Sequence, residues 1–127
     1  EPRQVVVYAG DNDIARGKSP ETVFNDTKEL FGLIHEALPE TSIIYVAIKP
    51  SIARWKLVDA MRETNAMIRE KLCEKDDRIE FLDIDTPMIG DDGKPKPELF
   101  IRDGLHMTPA GYAIWNEAIR PLLMNKE

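Results

Sequence analysis

Apolar residues along this chain fall into two kinds of run. Val5-Val6-Val7-Tyr8-Ala9 and Ile43-Ile44-Tyr45-Val46-Ala47-Ile48 are short, unbroken and rich in β-branched residues. Such runs predict strands covered on both faces, the mark of a parallel sheet between helices. Residues 79–84, Ile-Glu-Phe-Leu-Asp-Ile, predict a third strand. In the longer segments the apolar positions recur at helical spacing. Val23, Phe24, Leu30, Phe31, Ile34 and Leu38 predict a helix that Ser19 caps, Pro20 begins and Pro39 stops. A second helix, from about residue 51 to 75, carries Trp55, Val58, Met61, Ile68 and Leu72 on one side, and a third runs from Pro109 to about residue 124. Residues 86–99, rich in Pro, Gly and Asp, read as a loop.

Strand alternating with helix predicts an α/β fold: a three-layer α/β/α sandwich on a parallel sheet, built as a single domain over residues 1–127. Only three strands are legible. The first is apolar enough to be central, yet no earlier strand covers its other edge, and proteins normally blunt such an edge with charge or proline. The chain also opens on Glu1-Pro2 without a methionine. The expectation is a sequence that begins partway into its own fold, with N-terminal strand material missing.

Composition narrows the function classes. A net charge of −6 disfavours a general binder of phosphate backbones, so no nucleic-acid partner is expected. The longest apolar run is far too short to span a membrane. One cysteine, Cys73, rules out an internal disulfide or a multi-cysteine metal site and reads as a small apolar residue near a helix end.

Two short stretches carry candidate chemistry. Asp103-Gly104-Leu105-His106 places a carboxylate and an imidazole three residues apart, just before a helix that Thr108 caps and Pro109 begins. An acid held on one ring nitrogen fixes the tautomer and leaves the other nitrogen free to take a proton, the orienting half of a hydrolytic triad. Gly10-Asp11-Asn12-Asp13 follows the first strand at its C-terminal end, where open α/β sheets place their ligands.

Together these blocks resemble the G-x-N-D and D-x-x-H blocks of the SGNH hydrolase (GDSL esterase/lipase) family, in order, separation and context, and the resemblance spans essentially the whole chain. It implies a flavodoxin-like sheet and hydrolysis of small carboxylic or acetyl esters through an acyl-serine, without metal or organic cofactor. It also implies Asp103 and His106 as acid and base, and Asn12 as a donor to the oxyanion; Asp13 would tie down its loop. The family's G-D-S block and its oxyanion-hole glycine would precede Val5, and neither is present. Ser19 and Ser51 read as helix caps, and Ser42 precedes the second strand at the wrong end. No serine sits in a nucleophile elbow, so the isolated chain is expected to be a poor catalyst.

Plainer readings stand beside these. Trp55 and Trp115 fit the core better than a substrate platform, and His35 has no assigned role. Asp11 and Asp13 form a D-x-D, which in other settings holds Mg²⁺ for phosphoryl transfer. A non-catalytic domain that self-associates through the edge of its first strand is the remaining alternative. Compartment and ester specificity are not legible.

Overall fold

The computed structural model describes residues 3–123. Three parallel strands, β1 (Gln4–Val7), β2 (Ser42–Val46) and β3 (Ile79–Leu82), pair in the order β1-β2-β3, with Val5 beside Ile43 and Ile43 beside Ile79. The strands stop short of the apolar runs that predict them, because beyond Val7 and Val46 the chain turns away to build the site. β2 is central and its Ile43 to Val46 are almost wholly buried. Its side chains alternate between two cores. Ile43 and Tyr45 pack with Val7, Phe31 and Ile68, while Ile44 and Val46 pack with Leu82, Met88, Leu99 and Phe100.

The first of these cores is roofed by α2 (Pro20–Ala37) and α3 (Val58–Ile68), the second by α5 (Pro109–Ile119), giving the expected three layers. Two successive crossovers step across the sheet in one direction, so right-handed connections place both crossover helices on one face. Ser19 caps α2, its Oγ accepting from Thr22 N at 3.1 Å.

Four expectations need correction. The helix over 51–75 is broken: Trp55–Leu57 is one 3₁₀ turn, α3 covers Val58–Ile68, and Arg69–Cys73 widens into a π turn. The start is lost because Ser51 Oγ accepts from Arg54 N, closing a local turn that competes with the helix. The loop over 86–99 holds a short helix, α4 (Asp85–Met88), started by Asp83 Oδ1 accepting from Asp85 N and Thr86 N, and a 3₁₀ turn at Pro97–Leu99. Gly10 to Asp13 opens a further helical turn, α1 (Asp11–Ala15). The closing α-helix ends at Ile119, because Pro121 lacks the N–H to continue it, and the 3₁₀ turn Arg120–Leu122 follows. The expected end near Met124 lies outside the described residues.

Among the described residues, no helix is long and apolar enough to cross a membrane. Cys73 lies half-buried at the end of the π turn, and burial pushes its thiol up to about 12, consistent with a packing residue. His35 hydrogen-bonds through Nε2 to the carbonyl of Thr41 at 2.9 Å.

Candidate functional site

Tyr8, Asp11, Asn12, Lys49 and Arg54 follow the C-terminal ends of β1 and β2, and meet the loop before α5 in one cleft of about 310 Å³. The loop contributes Leu105, His106 and Met107, and α5 contributes Tyr112 and Trp115.

The loop is built by its own polar groups. Phe100 and Met107 pair as an antiparallel bridge, and Ile101 N donates to His106 O at 2.8 Å. One oxygen of Asp103, Oδ1, accepts from the backbone N–H of Leu105 and of His106, each at 2.9 Å. The other, Oδ2, lies 2.5 Å from His106 Nδ1. The three-residue spacing thus lets one carboxylate fold the turn with one oxygen and hold the ring with the other. With Nδ1 on a carboxylate, Nε2 is left to accept a proton. The bond to the ring, then the two backbone N–H groups, hold the Asp103 carboxyl down at about 2. Both side chains face solvent, His106 at 71% exposure and Asp103 at 43%.

Gly104 makes this loop possible in two ways. Its φ of +69° lies in the left-handed region. Its carbonyl accepts from Ala53 N at 2.9 Å, and a Cβ there would come within 3.2 Å of the Ile52 Cβ. The segment after β2 is thereby tied to the histidine loop.

On the opposite wall, Gly10 (φ +114°) turns the chain out of β1 with Ile48 Cδ1 2.9 Å from where a Cβ would sit. Asp11 then points inward. Its carboxylate is 8% exposed and receives Lys49 Nζ at 3.0 Å, Arg54 Nη1 at 2.7 Å and the Tyr8 hydroxyl at 2.9 Å. Burial would raise its pKa, but Lys49 first, then the bonds from Arg54, Lys49 and Tyr8, outweigh burial and hold it below the usual carboxylate range. Burial, and next the Asp11 charge, push the Tyr8 hydroxyl far up, so it stays a neutral donor. Asn12, one residue on, is exposed, and its Oδ1 accepts from Arg54 Nη1 at 3.0 Å. That bond leaves the Asn12 amide N–H₂ free to donate.

The structure therefore brings Asn12 and His106 to one cleft, with Asp103 on the histidine. Asp13 sits beside it, 4.0 Å from Lys18 Nζ. The D-x-D is not disposed for a metal, since the Asp11 oxygens are taken by two cations and a hydroxyl. Among the described residues no group of three or more His, Cys, Asp or Glu could hold one. Of the two tryptophans, Trp115 packs against the core of Ile44, Val46 and Phe100 as expected and also reaches the cleft, whereas Trp55 joins no core cluster among the described residues. Trp55 is half-buried under the Arg62 guanidinium, and Trp115 lines the cleft, edge-on to Tyr8 with ring centres 5.1 Å apart. Among the described residues, no serine, threonine or cysteine lines the cleft. Ser51 is buried in its turn, and Ser19 serves α2. Sequence reasoning missed Tyr8, Lys49 and Arg54. A lysine directly after the buried β2 run was the available signal, because a cation there needs a buried partner.

The profile of the GDSL-like Lipase/Acylhydrolase family matches residues 1–114. This chain belongs to that family. No curated protein sequence matches it significantly, but several solved structures share its fold. A GDSL-like lipase of Bacteroides thetaiotaomicron superposes with a TM-score of 0.76 at 25% identity, covering 95% of this chain and 62% of its own. A Streptococcus pneumonia protein described as a candidate platelet activating factor gives 0.84 at 20% identity, covering 95% of this chain and 59% of its own. A mutant acetyl esterase, solved with an acetate ion, gives 0.78 at 17% identity, covering 95% and 56%. The chain thus spans about six-tenths of the length of these structures.

Proposed function

We propose that this chain holds the acid–base and oxyanion-binding half of a serine-type hydrolase for small carboxylic esters, acetyl esters among them. The observation that carries the reading is one cleft shared by Asn12 and by an imidazole whose Nδ1 lies 2.5 Å from Asp103. Asp103 holds the tautomer, and His106 Nε2 takes the proton of an attacking hydroxyl and returns it to the leaving alkoxide. Asn12 donates its amide N–H to the oxyanion, with Arg54 on the carbonyl end of that amide keeping the N–H₂ end outward. The acetate ion in the acetyl esterase mutant supports an acyl group of this size. The attacking serine comes from a G-D-S segment docked beside β1, an outer strand among the described residues, whose chain leads through Tyr8 directly into the cleft.

Turnover of p-nitrophenyl acetate tests this in a version extended at its N-terminus by the strand and G-D-S segment of a family relative. The extension should raise turnover well above that of the chain alone. In the extended protein His106→Ala should lower kcat by roughly 10⁴-fold or more, and Asn12→Ala by about 100- to 1,000-fold. Undiminished turnover by His106→Ala would overturn the assignment. A second reading, a non-catalytic self-associating domain, is favoured by the position of β1 as an outer strand among the described residues and makes the opposite prediction of no ester turnover in either form.

A further inference from the structure

Three ionic side chains line the cleft besides His106, and they do not balance: Asp11 faces both Lys49 and Arg54. In a chain of net charge −6, a cleft wall with one anion between two cations runs against the overall sign. The donors are also underused. Arg54 engages only Nη1, on Asp11 and Asn12, and Lys49 makes one side-chain hydrogen bond, to Asp11. Among the described residues, the Nε/Nη2 edge of Arg54 and the other N–H groups of the Lys49 ammonium have no hydrogen-bond partner in the protein. That guanidinium edge presents two parallel N–H groups, the geometry that matches a planar carboxylate. The aliphatic and aromatic side chains of Leu105, Met107, Tyr112 and Trp115 line the same space.

We propose that this wall selects esters carrying a second, anionic carboxylate, such as monoesters of small dicarboxylic acids, with Arg54 as the main recognition residue and Lys49 supporting it. The proposal rests on the ester-hydrolase reading for its purpose, but binding here needs no attacking serine. A cleft of about 310 Å³ lies at the low end of ligand-pocket sizes, which suits a small dicarboxylate monoester. Asp11 holds the two cations at fixed positions, Lys49 on Oδ2 and Arg54 on Oδ1, so the carboxylate meets an ordered pair of donors.

Binding to the chain as it stands tests this by NMR titration with monomethyl succinate and its neutral counterpart, dimethyl succinate. The reporters are the Arg54 Nε–H, the Asn12 amide and the Trp115 indole N–H, which is unpartnered among the described residues. Monomethyl succinate should bind at least tenfold more tightly than dimethyl succinate, and added salt should narrow the gap. Arg54→Gln should abolish the preference and Arg54→Lys should retain part of it, with unchanged amide spectra elsewhere showing that both variants fold. Equal affinity for the two esters, no measurable binding of either, or a preference surviving Arg54→Gln overturns the proposal. Inorganic phosphate displacing the monoester more effectively than acetate overturns the carboxylate assignment in favour of a phosphate-bearing ester. Loss of p-nitrophenyl acetate turnover in the extended protein would instead count against the hydrolase reading and leave this binding result intact.

Discussion

At the scale of single residues, Asp103 folds a turn, holds a ring and stays ionised to an unusually low pH, all with one carboxylate. Its folded-state value of about 2 lies below the ordinary 3.8, so its contribution to the loop is complete above pH 3.8 and is lost as pH falls through about 2. A ¹³C titration of the Asp103 carboxyl should accordingly show a midpoint near 2, moving up in His106→Asn, because the ring bond is the largest cause of the depression. A midpoint near 3.8 in the parent chain would mean that the carboxylate does not hold the imidazole. Asp11, one turn of chain beyond β1, shows the other way of keeping a carboxylate charged, by burial among cations rather than at an exposed turn.

Among the elements, α5 is seated by a close approach rather than by its own propensity. Thr108 Oγ1 accepts from Gly111 N at 3.3 Å and donates to Glu98 O at 2.8 Å, locking the cap to the preceding turn. A Cβ on Gly111 would lie 2.6 Å from the Leu99 carbonyl oxygen and 2.9 Å from Met107 Cβ. Helix propensity favours Gly111→Ala by about 1 kcal/mol, whereas overpacking against a fixed backbone costs about 1–3 kcal/mol. The clash should win, because the obstructing atom is backbone on a bridge that frames the histidine loop. Urea denaturation should show Gly111→Ala destabilised by up to about 2 kcal/mol; a more stable variant would mean that α5 can shift off Leu99. The break between β2 and α3 also has a use at this scale. Had the helix begun at residue 51, Arg54 would follow helical periodicity, not the turn that brings it to Asp11.

For the whole molecule, β1 is an outer strand of the sheet among the described residues. Val6 is 46% exposed there, and β1 pairs only with β2 among the described residues. Unblunted edges recruit further strands, so the isolated chain should self-associate through β1 at high concentration. Sedimentation velocity should show association that Val6→Lys weakens at least several-fold. If parent and variant sediment alike as monomers, the edge is not an associating surface. The N-terminally extended protein should sediment as a monomer, since the added strand occupies the same edge.

The three strands, their parallel pairing and the three layers were legible in the chain, because an unbroken apolar run and a helical repeat each permit one kind of burial. The Asp103–His106 pair was legible too, since three residues of tight turn carry its geometry locally. That Asn12 meets His106 was an expectation carried by the family resemblance; tertiary structure alone decided that Tyr8, Lys49 and Arg54 converge on Asp11. Those contacts join segments about 40 residues apart, and no local pattern encodes a charge balance that exists only once β1 and β2 lie side by side. The helix break at Ser51 escaped for a related reason: a side-chain turn and a distant carboxylate together outweigh a periodicity that, taken alone, reads as continuous helix.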